Sequence, residues 1–234
     1  MLRERFLAQF SALITYSKAG FEQYQRAGFR GDRIFIAPNA VAPRPTGICP
    51  ERPDSFRGRP VVLYVGRLQP RKRVDLLIRA CARLPESIRP RLVVVGDGPE
   101  RTALEALARE VFPETEFPGE RRGADLASIW AEADLFVLPG TGGLAVQEAM
   151  AAGLPVAVAE ADGTQADLVR EENGWRLRPG DEDHLVTILQ EALDDPVRLR
   201  RMGRAGYRIV DQEINLETMV DGFIQAIKSV WSGK

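Results

Sequence analysis

The 234-residue sequence has one histidine, His184, and two cysteines, Cys49 and Cys81. A lone histidine leaves little room for histidine-based acid–base catalysis or for most zinc sites. The cysteines fall on different elements and make no CxxC pair, so they read as reduced thiols in a cytoplasmic setting, with a peripheral position at the inner membrane left open. Lysine is also scarce. Lys18, Lys72, Lys228 and Lys234 are the four lysines among 32 basic residues, which stand against 33 acidic ones. The net charge of −1 gives no broad electrostatic reason to bind nucleic acid. No apolar run approaches the roughly 18–20 residues of a membrane span, and the first ten residues, MLRERFLAQF, are too charged for a signal peptide. The other 28 basic residues are arginine, a bias that codon usage explains better than phosphate recognition does.

An apolar fraction of 44% is enough for a packed core. From residue 61 onward, short apolar runs alternate with amphipathic stretches. Val61–Val65, Leu92–Val95, Leu135–Leu138 and Pro155–Ala159 are nearly continuous, as strands buried on both faces of a parallel sheet are. Thr115–Phe117 and Gly174–Leu177 are shorter strand candidates. Between the runs, Val74, Leu77, Ile78 and Cys81 share one helical face, Leu104, Leu107, Ala108 and Val111 a second, and Leu126, Ile129, Trp130 and Ala133 a third. This alternation predicts an α/β domain with a doubly wound parallel sheet. Helices are also expected over Val197–Val210 and Leu216–Trp231. The Pro- and Gly-rich stretch Ala42–Pro60 reads as a linker. Before it come a helix (Leu2–Phe10), a strand (Ala12–Tyr16), a helix (Lys18–Ala27) and a strand (Ile34–Ala37), too few strands for a core of their own. This front piece reads as the end of a domain whose beginning is missing.

In an open parallel sheet, ligands bind beyond the carboxyl ends of the strands, and four loops leave such ends. Gly66–Arg73 carries four cations, Arg67, Arg71, Lys72 and Arg73, which repel one another unless an anion joins them or water screens them. Gly96-Asp97-Gly98-Pro99-Glu100 is a tight turn into a helix with Pro at its first position. Pro139-Gly140-Thr141-Gly142-Gly143-Leu144 opens the helix Leu144–Ala152, where close backbone approach and unpaired N–H groups suit a phosphate. Glu148, five residues past Gly143 and about 7–8 Å along the axis, could then accept from ribose hydroxyls. Glu160-Ala161-Asp162-Gly163-Thr164 could line a sugar pocket or simply cap a helix.

The third loop also fits a rival pattern. Gly140-x-Gly142-x-x-Ala145, with Glu160 20 residues on, spells a dinucleotide fingerprint and its ribose acid, the mark of an NAD-binding oxidoreductase domain. That fingerprint normally follows a first strand, and here about three strand–helix units precede it. Asp181-Glu182-Asp183 resembles a metal–nucleotide motif but follows Pro179-Gly180, so acidic helix capping is expected there, with His184 exposed beside it. Trp130 and Trp175 fall on apolar faces and are expected in the core.

Seven stretches together resemble the carboxyl-terminal half of the retaining, nucleotide-sugar-dependent glycosyltransferases of the GT-B fold, family four. In order, they are Ala37-Pro38-Asn39-Ala40-Val41; Val65-Gly66-Arg67-Leu68 with Lys72 beyond; Val95-Gly96-Asp97-Gly98-Pro99; and Phe117-Pro118-Gly119. Then follow Ala133-Asp134-Leu135-Phe136-Val137-Leu138-Pro139, Glu148–Val156, and Asn173-Gly174 with Pro179-Gly180-Asp181. The resemblance implies a Rossmann-like domain that binds a UDP- or GDP-linked sugar as donor substrate, without a metal and without a further cofactor. It implies Arg67 and Lys72 as the catalytic cations on the diphosphate, with Gly66 and Gly98 beside it. Gly142, Gly143 and Leu144 would offer backbone N–H groups to the distal phosphate, Glu148 would hold the ribose, and the loop Gly119–Arg122, with Arg121, would meet the base.

Two departures from the family pattern stand out. The first glutamate of its E-x7-E signature, which serves the donor sugar, falls on Gly140. The resemblance also implies an acceptor domain carrying the family's active-site histidine, of which only a remnant is expected in these 234 residues. The expected division is therefore an acceptor-domain remnant over 1–45, a linker over 46–60, a donor domain over 61–214, and over 215–234 a helix crossing back to the acceptor side. A separate acceptor-domain chain, self-association or truncation would each account for the missing half. A non-catalytic partner-binding subunit is the remaining alternative.

Overall fold

The computed structural model describes residues 6–7, 9–160 and 165–231. Most of the helix expected over Leu2–Phe10, and residues 161–164 of the fourth loop, lie outside the described residues. Six parallel strands make the main sheet: β3 (Val61–Val65), β4 (Arg91–Val95), β5 (Thr115–Gly119), β6 (Leu135–Leu138), β7 (Val156–Ala159) and β8 (Gly174–Leu177). Their spatial order is β5-β4-β3-β6-β7-β8. Counted within the sheet this is 3-2-1-4-5-6, the doubly wound order whose crevice lies where the direction of winding reverses, between β3 and β6. The central strands are apolar and buried apart from Arg91 at the start of β4 and the half-buried Val65 at the end of β3, because helices cover both faces. On the covering layers, α2 (Val74–Ala82) packs against α3 (Arg101–Val111) and α7 (Glu182–Asp194), and α5 (Ala145–Ala151) packs against α8 (Pro196–Gln212). Between them in sequence come α4 (Gly123–Glu132) and the short α6 (Gln165–Leu168).

Most element bounds differ from the sequence reading by one or two residues, and caps account for some of these. Asp195 accepts from Arg198 N and Pro196 takes the first helical position, so α8 begins at Pro196. Asp181 caps α7 by accepting from His184 N, as expected of an acidic cap. Trp130 and Trp175 are buried. His184 corrects its expectation: it is half-buried, and its Nδ1 accepts from Arg178 N at 3.1 Å.

The front of the chain forms a separate two-stranded parallel sheet, β1 (Leu13–Thr15) with β2 (Ile34–Ile36), joined by α1 (Lys18–Arg26). The last helix, α9 (Leu216–Trp231), lies on this pair. A Cβ at Gly222 would reach within 2.5 Å of Ile36 O, so only glycine permits the contact. The far side of α9 is apolar and open: Val220, Ile224, Ile227, Val230 and Trp231 are exposed, and Phe223 is half-buried. No helix of the described residues is long and apolar enough to cross a membrane.

The stretch read as a linker is fastened down rather than free. Arg52 donates to the carbonyls of Trp130, Ala131, Ala133 and Ala152, at the C-terminal ends of α4 and α5, where the helix dipoles are negative. Arg200, 3% exposed, donates to Pro53 O at 2.8 Å and to Asp134 Oδ1 at 2.7 Å. The other carboxylate oxygen of Asp134 accepts from Val61 N at the start of β3. Upstream, Gln147 holds the strap 39–42: its Nε2 donates to Asn39 O, and its Oε1 accepts from Val41 N at 2.8 Å.

Candidate functional site

Loops after β3 and β4 are laced together at the carboxyl edge. Gly66 N donates to Val95 O, Leu68 N to Asp97 O, and Glu100 N to Leu68 O. The lacing is so close that a Cβ at Gly96 would strike Gly66 O, and one at Gly98 would strike Leu68 O. Asp97 Oδ1 accepts from Gly98 N at 2.6 Å and fixes the turn. Tyr64, buried beneath, donates its hydroxyl to Arg67 O at 3.2 Å. Burial pushes that phenol well above the usual tyrosine range, so it stays a neutral donor.

Over this floor opens a cleft of about 550 Å3. It brings together Gly66 and Arg67 after β3, Gly98 after β4, and Arg121 after β5, all four named from the sequence. Asp97, Glu120 and Arg122 complete its polar wall; they fall within the two loops read from the sequence but were not singled out there, because nothing in a surface loop's composition distinguishes a wall from a solvated turn. Arg67 is exposed and makes no side-chain hydrogen bond or ion pair among the described residues.

The other cations of the first loop find partners within the protein. Arg73 pairs with Asp75 at 3.1 Å, and Arg71 donates to Gln69 Oε1 at 3.1 Å. Lys72 is buried in the 3-10 turn Pro70–Lys72, and its Nζ donates to Thr141 O at 2.8 Å and to Gly142 O. Desolvation, and then the nearby Arg71, hold its ammonium below the usual lysine range. Local carbonyls, Gln69 and Asp75 thus meet three of the four cations, and Arg67 is left without a side-chain partner among the described residues.

The loop after β6 is drawn onto that turn. Thr141 N donates to Arg71 O at 2.9 Å, and a Cβ at Gly140 would collide with Arg71 O and come within 2.5 Å of Lys72 Cα. This seam closes the crevice between β3 and β6. Gly142, Gly143 and Leu144 therefore line a second, smaller cavity of about 120 Å3 on the β6–β7 side, not the open cleft. Helix α5 begins at Ala145, one residue later than expected, with Leu144 as its cap residue. Glu148 is exposed on α5 and lines neither cavity. The fingerprint Gly140-x-Gly142-x-x-Ala145 follows β6, the fourth strand of the sheet in chain order, and Glu160 is exposed facing Arg176 at 3.6 Å.

A family model described as glycosyl transferases group 1 matches residues 50–209. The GDP-mannose-dependent monoacylated alpha-(1-6)-phosphatidylinositol monomannoside mannosyltransferase of Corynebacterium glutamicum is 34% identical over 184 residues, covering 73% of this chain and 47% of its own length. The sulfoquinovosyl transferase SQD2 of Arabidopsis thaliana is 36% identical over 154 residues, 63% of this chain and 29% of its own. Among solved structures, HepE of Anabaena in complex with UDP superposes with a TM-score of 0.76 at 23% identity, covering 94% of this chain and 64% of its own. Sucrose-phosphate synthase from Thermosynechococcus elongatus gives a TM-score of 0.77 at 25% identity, with coverages of 100% and 62%. The chain spans about half the length of the mannosyltransferase and under two thirds of either solved structure.

Proposed function

Because this chain belongs to the glycosyl transferases group 1 and carries the carboxyl-terminal half of the GT-B fold, we propose that it binds a nucleoside-diphosphate sugar as donor for retaining hexosyl transfer. The observation that carries the reading is the convergence of Gly66, Arg67, Gly98 and Arg121 on one open cleft at the carboxyl edge of the sheet. The base lies along the wall made by the β4 and β5 loops, where Arg121 stands. Arg67 meets the diphosphate as a charge without a carboxylate partner among the described residues. Lys72 approaches it from the seam, exchanging the carbonyls of Thr141 and Gly142 for phosphate oxygens. As the bond between the anomeric carbon and the distal phosphate oxygen breaks, charge grows on the departing diphosphate, and fixed cations stabilise that charge without reorganising. Glu148 accepts from the ribose hydroxyls. Residues 61–214 form the donor unit in this reading, and β1, β2 and α9 dock the acceptor half, whose positioning of the attacking hydroxyl is a large share of catalysis.

Relatives named for GDP-mannose, and a fold neighbour solved with UDP, make GDP and UDP the first ligands to test. Thermal-shift titration with UDP, GDP and NAD in parallel decides among the readings. Stabilisation by a nucleoside diphosphate supports this one, NAD alone restores the oxidoreductase, and silence to all three favours a partner-binding module. Glu148→Gln should weaken the nucleoside diphosphate far more than free pyrophosphate; equal weakening removes Glu148 from the ribose.

A further inference from the structure

Gly140 stands where the family resemblance expects a carboxylate for the donor sugar, and the structure leaves no room for one. The atoms a Cβ would meet there are all backbone, Arg71 O together with Lys72 C and Cα, so no flexible neighbour can yield. The polar groups for the sugar must then come from elsewhere. Beyond the seam, Gly142, Gly143 and Leu144 turn into the second cavity, which is too small for a nucleoside but can take one edge of a sugar ring. Among its lining residues stand three amide side chains, and they are not equivalent. Gln147 is spent on the backbone of Asn39 and Val41. Asn39 is exposed. Gln165, at the start of α6, is 7% exposed, lines the cavity, and keeps its Oε1 without a hydrogen-bond partner among the described residues.

A buried amide oxygen left unpaired is costly and calls for a donor. The charged side chain among the described lining residues is Asp167, whose Oδ2 accepts from Lys18 N at 2.8 Å. An amide acceptor beside a carboxylate matches the O–H groups of an uncharged sugar. We propose that Gln165 is a specificity-determining residue for the donor, its Oε1 accepting from a hydroxyl of a neutral hexose in place of the carboxylate that Gly140 cannot carry. This rests on the nucleotide-sugar reading above.

The test separates the sugar from the nucleotide. Calorimetric titrations of UDP, UDP-glucose, GDP and GDP-mannose into the wild-type chain identify the nucleotide that binds and the ratio of sugar-linked to sugar-free affinity. In Gln165→Leu that ratio should fall about five- to tenfold, the worth of one buried hydrogen bond, while the free diphosphate binds within about twofold of wild type. Gln165→Asn keeps an amide but retracts its oxygen by one methylene, and it should show the same loss if the leucine variant does not fold. An unchanged ratio in either variant overturns the proposal, as does an equal loss for free and sugar-linked nucleotide. A wild-type chain that binds no nucleoside diphosphate brings down the underlying reading itself, a result distinct from an unchanged ratio.

Discussion

Arginines gather at both ends of the six-stranded sheet, and their partners differ. At the amino end of the strands, Arg52 spends its donors on four helix-end carbonyls, and Arg200 is buried against Asp134 and Pro53 O. At the carboxyl end, Arg67 and Arg121 line an open cleft and meet no carboxylate among the described residues. The lower arginines hold the strap 42–60 to the domain, whereas the upper ones leave their charge available. Residue type and local sequence do not separate the two groups. What separates them is how many acceptors the fold places within reach.

The comparison breaks most visibly at Asp134. Among the described residues it is the one carboxylate bonded to the buried Arg200, and it also anchors the first residue of β3. Asp134→Ala should cost about 3–5 kcal/mol, because it strands a buried guanidinium as well as a backbone N–H. Chemical denaturation measures this. A loss below about 1 kcal/mol would mean that water reaches Arg200 and the pair is only a surface bridge.

Next comes the seam at the other edge. Gly140→Ala forces a methyl group into the backbone of Arg71 and Lys72, and overpacking of that kind costs about 1–3 kcal/mol. Because the strain falls on the turn that holds Lys72, diphosphate affinity should drop together with stability. A variant that loses stability and keeps full affinity would show that the seam only packs and does not position Lys72.

Arg67→Ala sharpens the contrast in the opposite sense. Its side chain has no protein partner among the described residues, so stability should stay within about 0.5 kcal/mol of wild type. Diphosphate binding should weaken by about 1.5–3 kcal/mol, as for a charge-assisted contact. Denaturation and calorimetry on one preparation separate the two effects.

These differences mark where the sequence was legible. The strands were, since a strand buried on both faces must be apolar throughout, and Val61–Val65 and Leu135–Leu138 were located to the residue. The glycines and cations of the carboxyl-edge loops were legible as a set, because close backbone approach and clustered charge show in composition. Their pairing was not. That Lys72 would turn to the carbonyls of Thr141 and Gly142, and that Gly140 would seal the crevice and send Gly142–Leu144 to a second cavity, depends on loop conformations that no periodicity encodes. How the stretch 42–60 is held was not legible for a related reason. Proline and glycine in Ala42–Pro60 rule out regular structure but say nothing about Arg52 and Arg200, whose partners lie 66 to 147 residues away in sequence.

Lys72 lies between the two groups: it is buried and tied to backbone oxygens, yet it belongs to the ligand edge. Desolvation and Arg71 hold its ammonium below the usual lysine range, and the sign of the resulting pH effect can be worked out. In folding, a lysine whose value is lowered in the native state opposes stability at low pH, and that penalty is relieved as pH rises through its folded value. In binding, the sign reverses. A diphosphate favours the ammonium and raises its pKa, so complex formation takes up a proton once the pH reaches the lowered free value. Affinity for the diphosphate should therefore fall as pH rises through that window. Calorimetry in two alkaline buffers of different ionisation enthalpy would show it as a buffer-dependent heat. The nucleobase titrates in alkali as well, so Lys72→Met is the control that removes the lysine's share and leaves the base's. If wild type and Lys72→Met give the same buffer dependence, Lys72 never leaves the carbonyls of Thr141 and Gly142, and its charge stabilises the seam alone.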